Sequence, residues 1–333
     1  MSWRILITAR AMVEVGQSAL DLLTAAGCQV FFPTHYVARS GSELMDLLEG
    51  KDAVLATVDQ YSAEVFSSPK VAGLKIVSRW GVGYDTIDVA AATRSGVVIA
   101  YTPGLLDETV ADLTFAMMLG IARRTHEAHE AMRQGIWKPL WGGNVHGKTL
   151  GLVGCGRIGQ AVARRALGFG MKLVAFDVAP QPQAKALGID FLSLDELLEQ
   201  SDFVSLHAAV TPENKGMIGQ EQFHKMKRTA YFINAARGAL VDESALADAL
   251  SAGRIAGAAV DTYRVEPLRG DSPLCSAPNL LLTPHQASFT RDTGLQVSTV
   301  SAQAILDLMN GRRPQFVVNP SVFDEPALRT SLS

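Results

Sequence analysis

Short apolar runs alternate with longer amphipathic segments along almost the whole chain, and this alternation limits the possible folds. Runs such as residues 4–8 and 53–57 are typical of buried strands, and the stretches that follow them are typical of helices. Strands alternating with helices predict βα units, whose parallel strands form a sheet with helices on both faces. The sequence therefore predicts the α/β class with doubly wound, Rossmann-like parallel sheets.

The alternation occurs as two series. The predicted strands of the first are residues 4–8, 29–32, 53–57, 74–78 and 97–100, and those of the second are 150–154, 172–177, 203–207, 230–235, 257–262 and 280–285. Between the series, residues 108–123 predict a long helix that is apolar on more than one face, which is typical of a core or a subunit interface. A chain of 333 residues exceeds what one core usually serves, so two domains are expected.

Composition narrows the function further. The net charge of −3 excludes a basic surface for nucleic acid, and the 48% of hydrophobic residues indicate a globular protein. Three scattered cysteines (Cys28, Cys155 and Cys275) predict neither a disulfide framework nor a metal site. The start of the chain shows no signal peptide, and no apolar stretch is long enough to cross a membrane. These features predict a cytoplasmic protein without metal.

The motif Gly154-Cys155-Gly156-Arg157-Ile158-Gly159 follows one predicted strand and opens a helix. In a dinucleotide site the first glycine permits the tight turn, the second lets backbone approach a pyrophosphate, and the third lets helix pack against strand. The helix N-terminus then offers free N–H groups to the anion. The alternative is a plain glycine turn, but the strand, the helix and an acidic residue further on favour dinucleotide binding.

That acidic residue, Asp177, ends the next predicted strand. Its carboxylate suits the ribose hydroxyls of NAD and would repel the additional phosphate of NADP. Residues 178–181 contain no arginine or lysine that would attract that phosphate. NAD is therefore the expected cofactor.

Other polar residues collect at the carboxyl ends of the second series. His207 and His285 are predicted to end strands, Asp261 to lie in one, and Arg237 and Glu266 to follow closely. The ligand crevice of an open parallel sheet lies along that edge, so these residues are expected to line one site.

Three of them suit the oxidation of an alcohol. A histidine such as His285 can take or give a hydroxyl proton near neutral pH, a carboxylate such as Glu266 can orient it, and Arg237 can hold a substrate carboxylate. Alone, each has a simpler interpretation as a turn residue, a helix cap or an exposed side chain. For His207, cofactor contact and a structural hydrogen bond are equally good interpretations.

With these residues, the chain resembles the D-isomer-specific 2-hydroxyacid dehydrogenases, particularly phosphoglycerate-dehydrogenase-like members. The resemblance covers nearly the whole chain. Its motifs, in order, are Ser78-Arg79-Trp80-Gly81-Val82-Gly83-Tyr84-Asp85, Thr109-Val110-Ala111-Asp112, the glycine loop, Asn234-Ala235-Ala236-Arg237-Gly238, Asp261 with Glu266-Pro267, and Thr283-Pro284-His285.

The resemblance implies an NAD-dependent oxidoreductase that interconverts a small D-2-hydroxy acid and its 2-oxo acid, with Arg237, Glu266 and His285 as the catalytic residues. It implies that amides near Val82 and Gly83 hold the substrate carboxylate. The positions implied to contact NAD are Arg157, Ile158, Asp177, Thr211, Ala235, Ala236 and Asp261. It further implies a discontinuous, flavodoxin-like substrate domain (1–102 plus 292–333), an NAD-binding domain (103–291), and a homodimer built around residues 108–122.

The identity of the acid stays open. Phosphoglycerate dehydrogenases commonly carry an arginine for the substrate phosphate where this chain has residues 56–59 without one, although Arg79 could serve instead. No regulatory C-terminal domain is expected after Ser333. A glyoxylate or hydroxypyruvate reductase is the alternative, and an NAD(H)-sensing corepressor-like protein is a weaker one. Formate dehydrogenase is disfavoured because Glu266 is present.

Overall fold

The computed structural model describes residues 2–332, which form two compact units. One unit contains the chain up to Leu106 together with the part from Ser288 onward, and the other is Asp107–Ala287. The sequence prediction places the corresponding boundaries after residues 102 and 291. The assignment of a substrate role and a cofactor role to the two units remains a prediction.

The first unit is built on five parallel strands in the order β2-β1-β3-β4-β5. The strands are β1 (Arg4–Ile7), β2 (Gln29–Phe31), β3 (Ala53–Ala56), β4 (Ile76–Arg79) and β5 (Val98–Ala100). The helices are α1 (Arg10–Val15), α2 (Gln17–Ala25), α3 (Gly41–Leu48), α4 (Ala63–Ser67), α5 (Val89–Arg94) and, from the distal part of the chain, the helix Arg291–Met309. The strand order is that of flavodoxin, as predicted.

The second unit contains seven parallel strands in the order β12-β11-β10-β9-β6-β7-β8. The strands are β6 (Thr149–Val153), β7 (Lys172–Phe176), β8 (Asp190–Phe191), β9 (Phe203–Leu206), β10 (Tyr231–Asn234), β11 (Gly257–Val260) and β12 (Leu280–Leu282). The helices are α6 (Asp107–Ala122), α7 (Thr125–Arg133), α8 (Arg157–Gly168), α9 (Pro182–Ala186), α10 (Leu194–Gln200), α11 (Gln220–Lys225) and α12 (Glu243–Ser251), so the helix Arg291–Met309 is α13. Short 3₁₀ turns cover Pro69–Val71, Gly238–Leu240, Pro273–Ser276 and Pro320–Asp324.

Both faces of the seven-stranded sheet are buried. Neighbouring residues of one strand contribute to opposite cores: Phe232 packs in one and Ile233 in the other, and Ala258 and Ala259 divide in the same way. Side chains alternate across a strand, so a strand covered on both faces needs an almost continuous apolar run. This explains why the central strands of the second series are mostly apolar.

The order of the second sheet reverses direction between β6 and β9. Strands β6, β7 and β8 run outward to one side of this point, and β9 to β12 run outward to the other. Diverging connections leave a crevice at the carboxyl ends of β6 and β9, which is where doubly wound sheets bind ligands. The glycine loop follows β6 directly, so the fold places it at this point.

Several element boundaries differ from the sequence prediction. The strands end earlier than predicted, so Asp177, His207 and His285 follow their strands, and Asp261 lies after β11 and not within it. The side chains of Asp177, Asp261 and His285 pair with groups 19 to 26 residues away in sequence, in turns beyond the strand ends. The two-residue strand β8 and helix α7 were not predicted, and the helix at Arg291–Met309 begins six residues before the predicted start at residue 297. Strand β8 is too short, and α7 too polar, for an apolar pattern to reveal them.

Candidate active site

The glycine loop has the geometry that the sequence analysis requires. Gly154 has a φ of 92°, and a Cβ atom there would lie 2.5 Å from the amide nitrogen of Ala208. A Cβ atom on Gly159 would lie 2.5 Å from the carbonyl oxygen of Gly154. By contrast, a Cβ atom on Gly156 would meet nothing within 4 Å. The outer glycines are therefore needed for close backbone packing, and the middle one borders open space.

Helix α8 begins at this open space. Its first intrahelical hydrogen bond runs from the Gln160 amide to the Gly156 carbonyl at 3.0 Å, so the preceding amides of the first turn face outward. Ile158 in that turn is half-buried. The Arg157 guanidinium is exposed and pairs with the Asp107 carboxylate at 2.8 Å. The helix N-terminus thus offers free N–H donors and a positive partial charge to an anion.

Asp177 lies at the carboxyl end of β7 and holds the glycine loop. One carboxylate oxygen accepts a hydrogen bond from the Cys155 amide at 2.6 Å, and the other accepts from the Ala179 amide at 2.8 Å. Each carboxylate oxygen has a second lone pair, so both can still accept from ribose hydroxyls. Burial, reinforced by the charge of Asp177, raises the pKa of Cys155 to about 11, which keeps this thiol neutral.

His207 follows β9 on the other side of the crevice. One ring nitrogen, Nε2, is 2.8 Å from the Ser205 hydroxyl, and the other, Nδ1, is inaccessible to solvent and has no hydrogen-bond partner within residues 2–332. Burial lowers the pKa of His207 to about 4, so the ring is neutral at physiological pH. A buried nitrogen without a partner is costly, and it is consistent with a polar ligand group at this position.

Four observations therefore support a dinucleotide site at the end of β6: the open space at Gly156, the exposed amides of α8, the carboxylate of Asp177, and the unpaired nitrogen of His207.

The other predicted cofactor contacts are less informative. Thr211 is exposed, and its amide donates to Asn214 Oδ1 at 2.8 Å. Ala235 is buried and Ala236 half-buried, after β10.

His285 and Glu266 meet directly. His285 Nδ1 is 2.7 Å from Glu266 Oε2, and the other Glu266 oxygen accepts from the Tyr263 amide at 3.0 Å. Burial by itself raises the pKa of Glu266, but the hydrogen bond and charge of His285, the Tyr263 amide and the charge of Arg237 hold it below its usual range. Glu266 is therefore ionised and fixes Nδ1 as the protonated nitrogen, which leaves Nε2 for proton transfer.

The turn that carries His285 is held by Asp261. One carboxylate oxygen of Asp261 accepts from the Thr283 hydroxyl at 2.6 Å and from the Gln286 amide at 2.9 Å, and the other accepts from the Ala287 amide at 3.0 Å. His285 itself has a φ of 51°, a conformation that non-glycine residues adopt rarely. The hydrogen bonds of Asp261 thus hold the chain on both sides of His285 and stabilise its unusual backbone conformation.

Arg237 lies just after β10, on a turn shaped by Asn234. The Asn234 side chain accepts from the Ala236 amide at 3.0 Å and donates to the Arg237 carbonyl at 3.1 Å. The Arg237 guanidinium donates to the Ala236 carbonyl at 2.8 Å and lowers the pKa of Glu266 by its charge. The second unit therefore brings together Arg237, Glu266 and His285.

Arg79, Val82 and Gly83 belong to the first unit. Arg79 is buried at the end of β4, with 9% of its surface exposed, and its Nε donates to the Gly83 carbonyl at 2.8 Å. Its Nη1 donates to the Trp80 carbonyl. Val82 and Gly83 are half-buried. The guanidinium thus contacts the loop that was expected to bind the substrate carboxylate.

Sequence reasoning missed several residues that organise the site. Asn234, Tyr263, Thr283 and Ser205 each hydrogen-bond to a predicted site residue or to the turn that carries it. They lie next to the predicted residues in sequence, so proximity to a motif was the available signal. In the part of the chain that the structure describes, no helix is long and apolar enough to span a membrane, and no group of acidic, histidine or cysteine side chains is arranged to hold a metal.

Comparison with known proteins agrees with this geometry. Residues 115–287 match the family model "D-isomer specific 2-hydroxyacid dehydrogenase, NAD binding domain". A glyoxylate reductase of Korarchaeum cryptofilum is 43% identical over 84% of this chain and 86% of its own length. A D-3-phosphoglycerate dehydrogenase of Methanocaldococcus jannaschii is 39% identical over 75% of this chain but only 48% of its own length.

A solved structure extends the likeness to almost the whole chain. The TT0316 protein of Thermus thermophilus superposes with a TM-score of 0.85 and 40% identity, covering 95% of this chain and 99% of that protein. Together with the glycine loop and the Glu266–His285 pair, these matches confirm the resemblance. The chain belongs to the D-isomer specific 2-hydroxyacid dehydrogenase family and is an NAD-dependent oxidoreductase.

Proposed function

We propose that the chain reduces a small, unphosphorylated 2-oxo acid, of the glyoxylate or hydroxypyruvate type, to the D-2-hydroxy acid. The observation that carries this choice is the position of Arg79, whose guanidinium donates to the carbonyls of Trp80 and Gly83. Arg79 is the cation that could have served a substrate phosphate in place of the arginine missing near residues 56–59. The similar glyoxylate reductase supports the same choice, because it matches over most of its length.

His285 is proposed as the acid and base of the reaction. In reduction, the imidazolium donates its Nε2 proton to the oxo oxygen while the carbon receives the hydride, and the product is the hydroxy acid. Glu266 orients the ring and stabilises its positive charge, since it is ionised and bonded to Nδ1. Arg237 is proposed to bind the substrate carboxylate and polarise the oxo group. The bound cofactor would supply the hydride as NADH in reduction and would accept it as NAD⁺ in oxidation.

The other residue roles are also proposals. The exposed amides of Arg157 and Ile158 are proposed to bind the cofactor pyrophosphate, and Asp177 to bind the ribose. The amides of Val82 and Gly83 are proposed to bind the substrate carboxylate. We further propose a cytoplasmic location and a homodimer through the second unit. The large exposed apolar side chains Trp137 and Trp141 (83% and 95% exposed) support an interface there.

The test is NADH consumption by the purified protein with glyoxylate, hydroxypyruvate, pyruvate, a branched 2-oxo acid and phosphohydroxypyruvate. We expect the highest kcat/KM with an unphosphorylated acid. A clear preference for phosphohydroxypyruvate would instead establish a phosphoglycerate-type dehydrogenase. NADH binding without turnover of any acid would favour a cofactor-sensing protein.

The catalytic assignment is tested with His285→Ala. Its kcat should fall by roughly 10²-fold or more, because general acid–base catalysis contributes about that much, while NADH binding stays close to that of the wild type. The matched control is His224→Ala, which removes an exposed histidine of α11 from the same unit. Near-normal turnover by His285→Ala would refute the assignment.

A further inference from the structure

The loop of residues 80–83 in the first unit is held by two different partners. Thr102, which is 1% exposed, pairs reciprocally with Gly81: the Gly81 amide donates to the Thr102 hydroxyl at 3.1 Å, and the Thr102 amide donates to the Gly81 carbonyl at 3.1 Å. Arg79 holds the carbonyls on either side of this pair, at Trp80 and Gly83. The loop is therefore clamped at its centre and at both ends.

The clamp determines what the loop presents. A trans peptide holds its N–H opposite its C=O. The Gly81 carbonyl is turned toward Thr102, so the Val82 N–H on the same peptide points away from it. Within residues 2–332 the amides of Val82 and Gly83 have no hydrogen-bond partner, and both residues are half-buried. Two neighbouring donors are thus left available to an anion.

Arginine suits the clamping position for a chemical reason. Its planar fork can donate from Nε and Nη1 to two carbonyls at once, whereas a lysine ammonium is a single point charge. The clamp also leaves little room, since a Cβ atom on Gly81, whose φ is 126°, would lie 3.0 Å from Arg79 Nη1. The positive charge lies against the carbonyl ends of the loop and reinforces its attraction for an anion.

We propose that Arg79 is a positioning residue that preorganises the Val82 and Gly83 amides for the carboxylate of the 2-oxo acid, and not a ligand of a substrate phosphate. This proposal rests on the proposed function, because it takes the bound anion to be the substrate carboxylate. It makes a specific claim about selectivity. Loss of Arg79 weakens the binding of every 2-oxo acid by a similar factor, since all of them carry the carboxylate.

The experiment compares Arg79→Met and Arg79→Lys with the wild type, using hydroxypyruvate, glyoxylate and phosphohydroxypyruvate. For Arg79→Met we expect KM to rise by about 10-fold or more, and by a similar factor for each of the three acids, because a preorganising group is lost. The change in kcat should be smaller. Arg79→Lys should recover part of this loss. The Kd for NADH should stay unchanged, since the proposed cofactor residues lie in the second unit.

Arg329→Met is the matched control. Arg329 also donates to backbone carbonyls of the first unit, those of Phe66, Val71 and Leu74, but it does not hold the loop of residues 80–83. Its loss should lower the melting temperature and leave KM unchanged. If Arg79→Met raised KM no more than this control, Arg79 would be merely structural and the proposal would be wrong.

Two further outcomes separate the proposal from the proposed function. A rise in KM confined to phosphohydroxypyruvate would make Arg79 a phosphate ligand and overturn the proposal. If the wild type turned over none of the acids, the proposed function would fail, and calorimetric titration of oxalate into the NADH-saturated protein would test the loop directly. In that case a Kd for oxalate about 10-fold weaker or more in Arg79→Met supports the positioning role, and an unchanged Kd refutes it.

Discussion

At the scale of single residues, the site contains polar groups that perform a structural task beside the proposed chemical one. Asp177 ties the glycine loop to β7, and Asp261 holds the turn of His285. His207 differs because its ring is neutral and its Nδ1 is buried without a hydrogen-bond partner within residues 2–332. Its ionisation therefore links the cofactor crevice to the stability of the fold.

Stability should decrease on acidification through His207. Its pKa is lowered from 6.5 to about 4 in the folded state, so between these pH values the unfolded chain binds a proton that the folded chain does not. The free energy of unfolding then falls as the pH falls, by up to about 3 kcal/mol from this residue. The measurement is the free energy of unfolding at about pH 6.5, 5 and 4 for the wild type and His207→Asn.

The variant should show a smaller loss over this interval, whatever its stability near neutral pH, because its amide does not titrate. Identical pH slopes for the two proteins would mean that His207 is protonated in the folded state. His224→Asn, which replaces an exposed histidine, serves as the control and should retain the wild-type slope.

At the scale of elements, two glycines of the loop have different roles: Gly159 is needed for packing, and Gly156 is expected to be needed for cofactor binding. Gly159→Ala would place a Cβ atom 2.5 Å from the Gly154 carbonyl, whereas Gly156→Ala would place one in open space. Gly159→Ala should therefore destabilise the fold by about 2 kcal/mol or more, as overpacking does. Gly156→Ala should keep its melting temperature and weaken NADH binding, because the methyl group occupies the space where a pyrophosphate approaches.

Thermal unfolding and NADH fluorescence titration on the two variants check this prediction, and each variant is the control for the other. Weaker binding in Gly156→Ala without loss of stability would locate the cofactor at this loop. Unchanged binding would place it elsewhere.

The same elements show what the sequence could predict. The sheets, the glycine loop and the residues at strand ends followed from periodicity and spacing, because buried parallel strands need uninterrupted apolar runs. Strand β8, with two residues, leaves no such run. The partners of Asp261 could not be predicted either, because they lie on a turn 22 to 26 residues further along the chain that folds back on this side chain.

At the scale of the whole molecule, the expected dimer depends on the second unit. Helix α6 was expected at an interface because it is apolar on more than one face. Its buried residues pack against the core of this unit, and its exposed Glu108 and Asp112 pair with Arg164 and Arg165 of α8. The apolar composition of α6 is thus explained within one chain. The exposed Trp137 and Trp141 are better candidates for the interface.

The dimer is tested by light scattering after size-exclusion chromatography. The wild type should have about twice the chain mass of 35.6 kDa. The double variant Trp137→Ser/Trp141→Ser should shift toward the single-chain mass with an unchanged far-UV circular dichroism spectrum, because it removes exposed apolar surface. A wild type that elutes as one chain would refute the proposed dimer. A double variant that stays dimeric would place the interface elsewhere.

The division of the chain also bears on the order in which the protein folds during synthesis. The second unit is continuous in sequence, whereas the first needs α13, whose buried Val297 and Ile305 come from far along the chain. Helix α13 packs against α1, α2 and β4. The ribosome therefore completes the second unit while the first unit still lacks α13. The strands made first receive the apolar cover that α13 supplies only at the end, so the surface beneath α13 stays exposed in the nascent chain and is open to aggregation or chaperone binding until then.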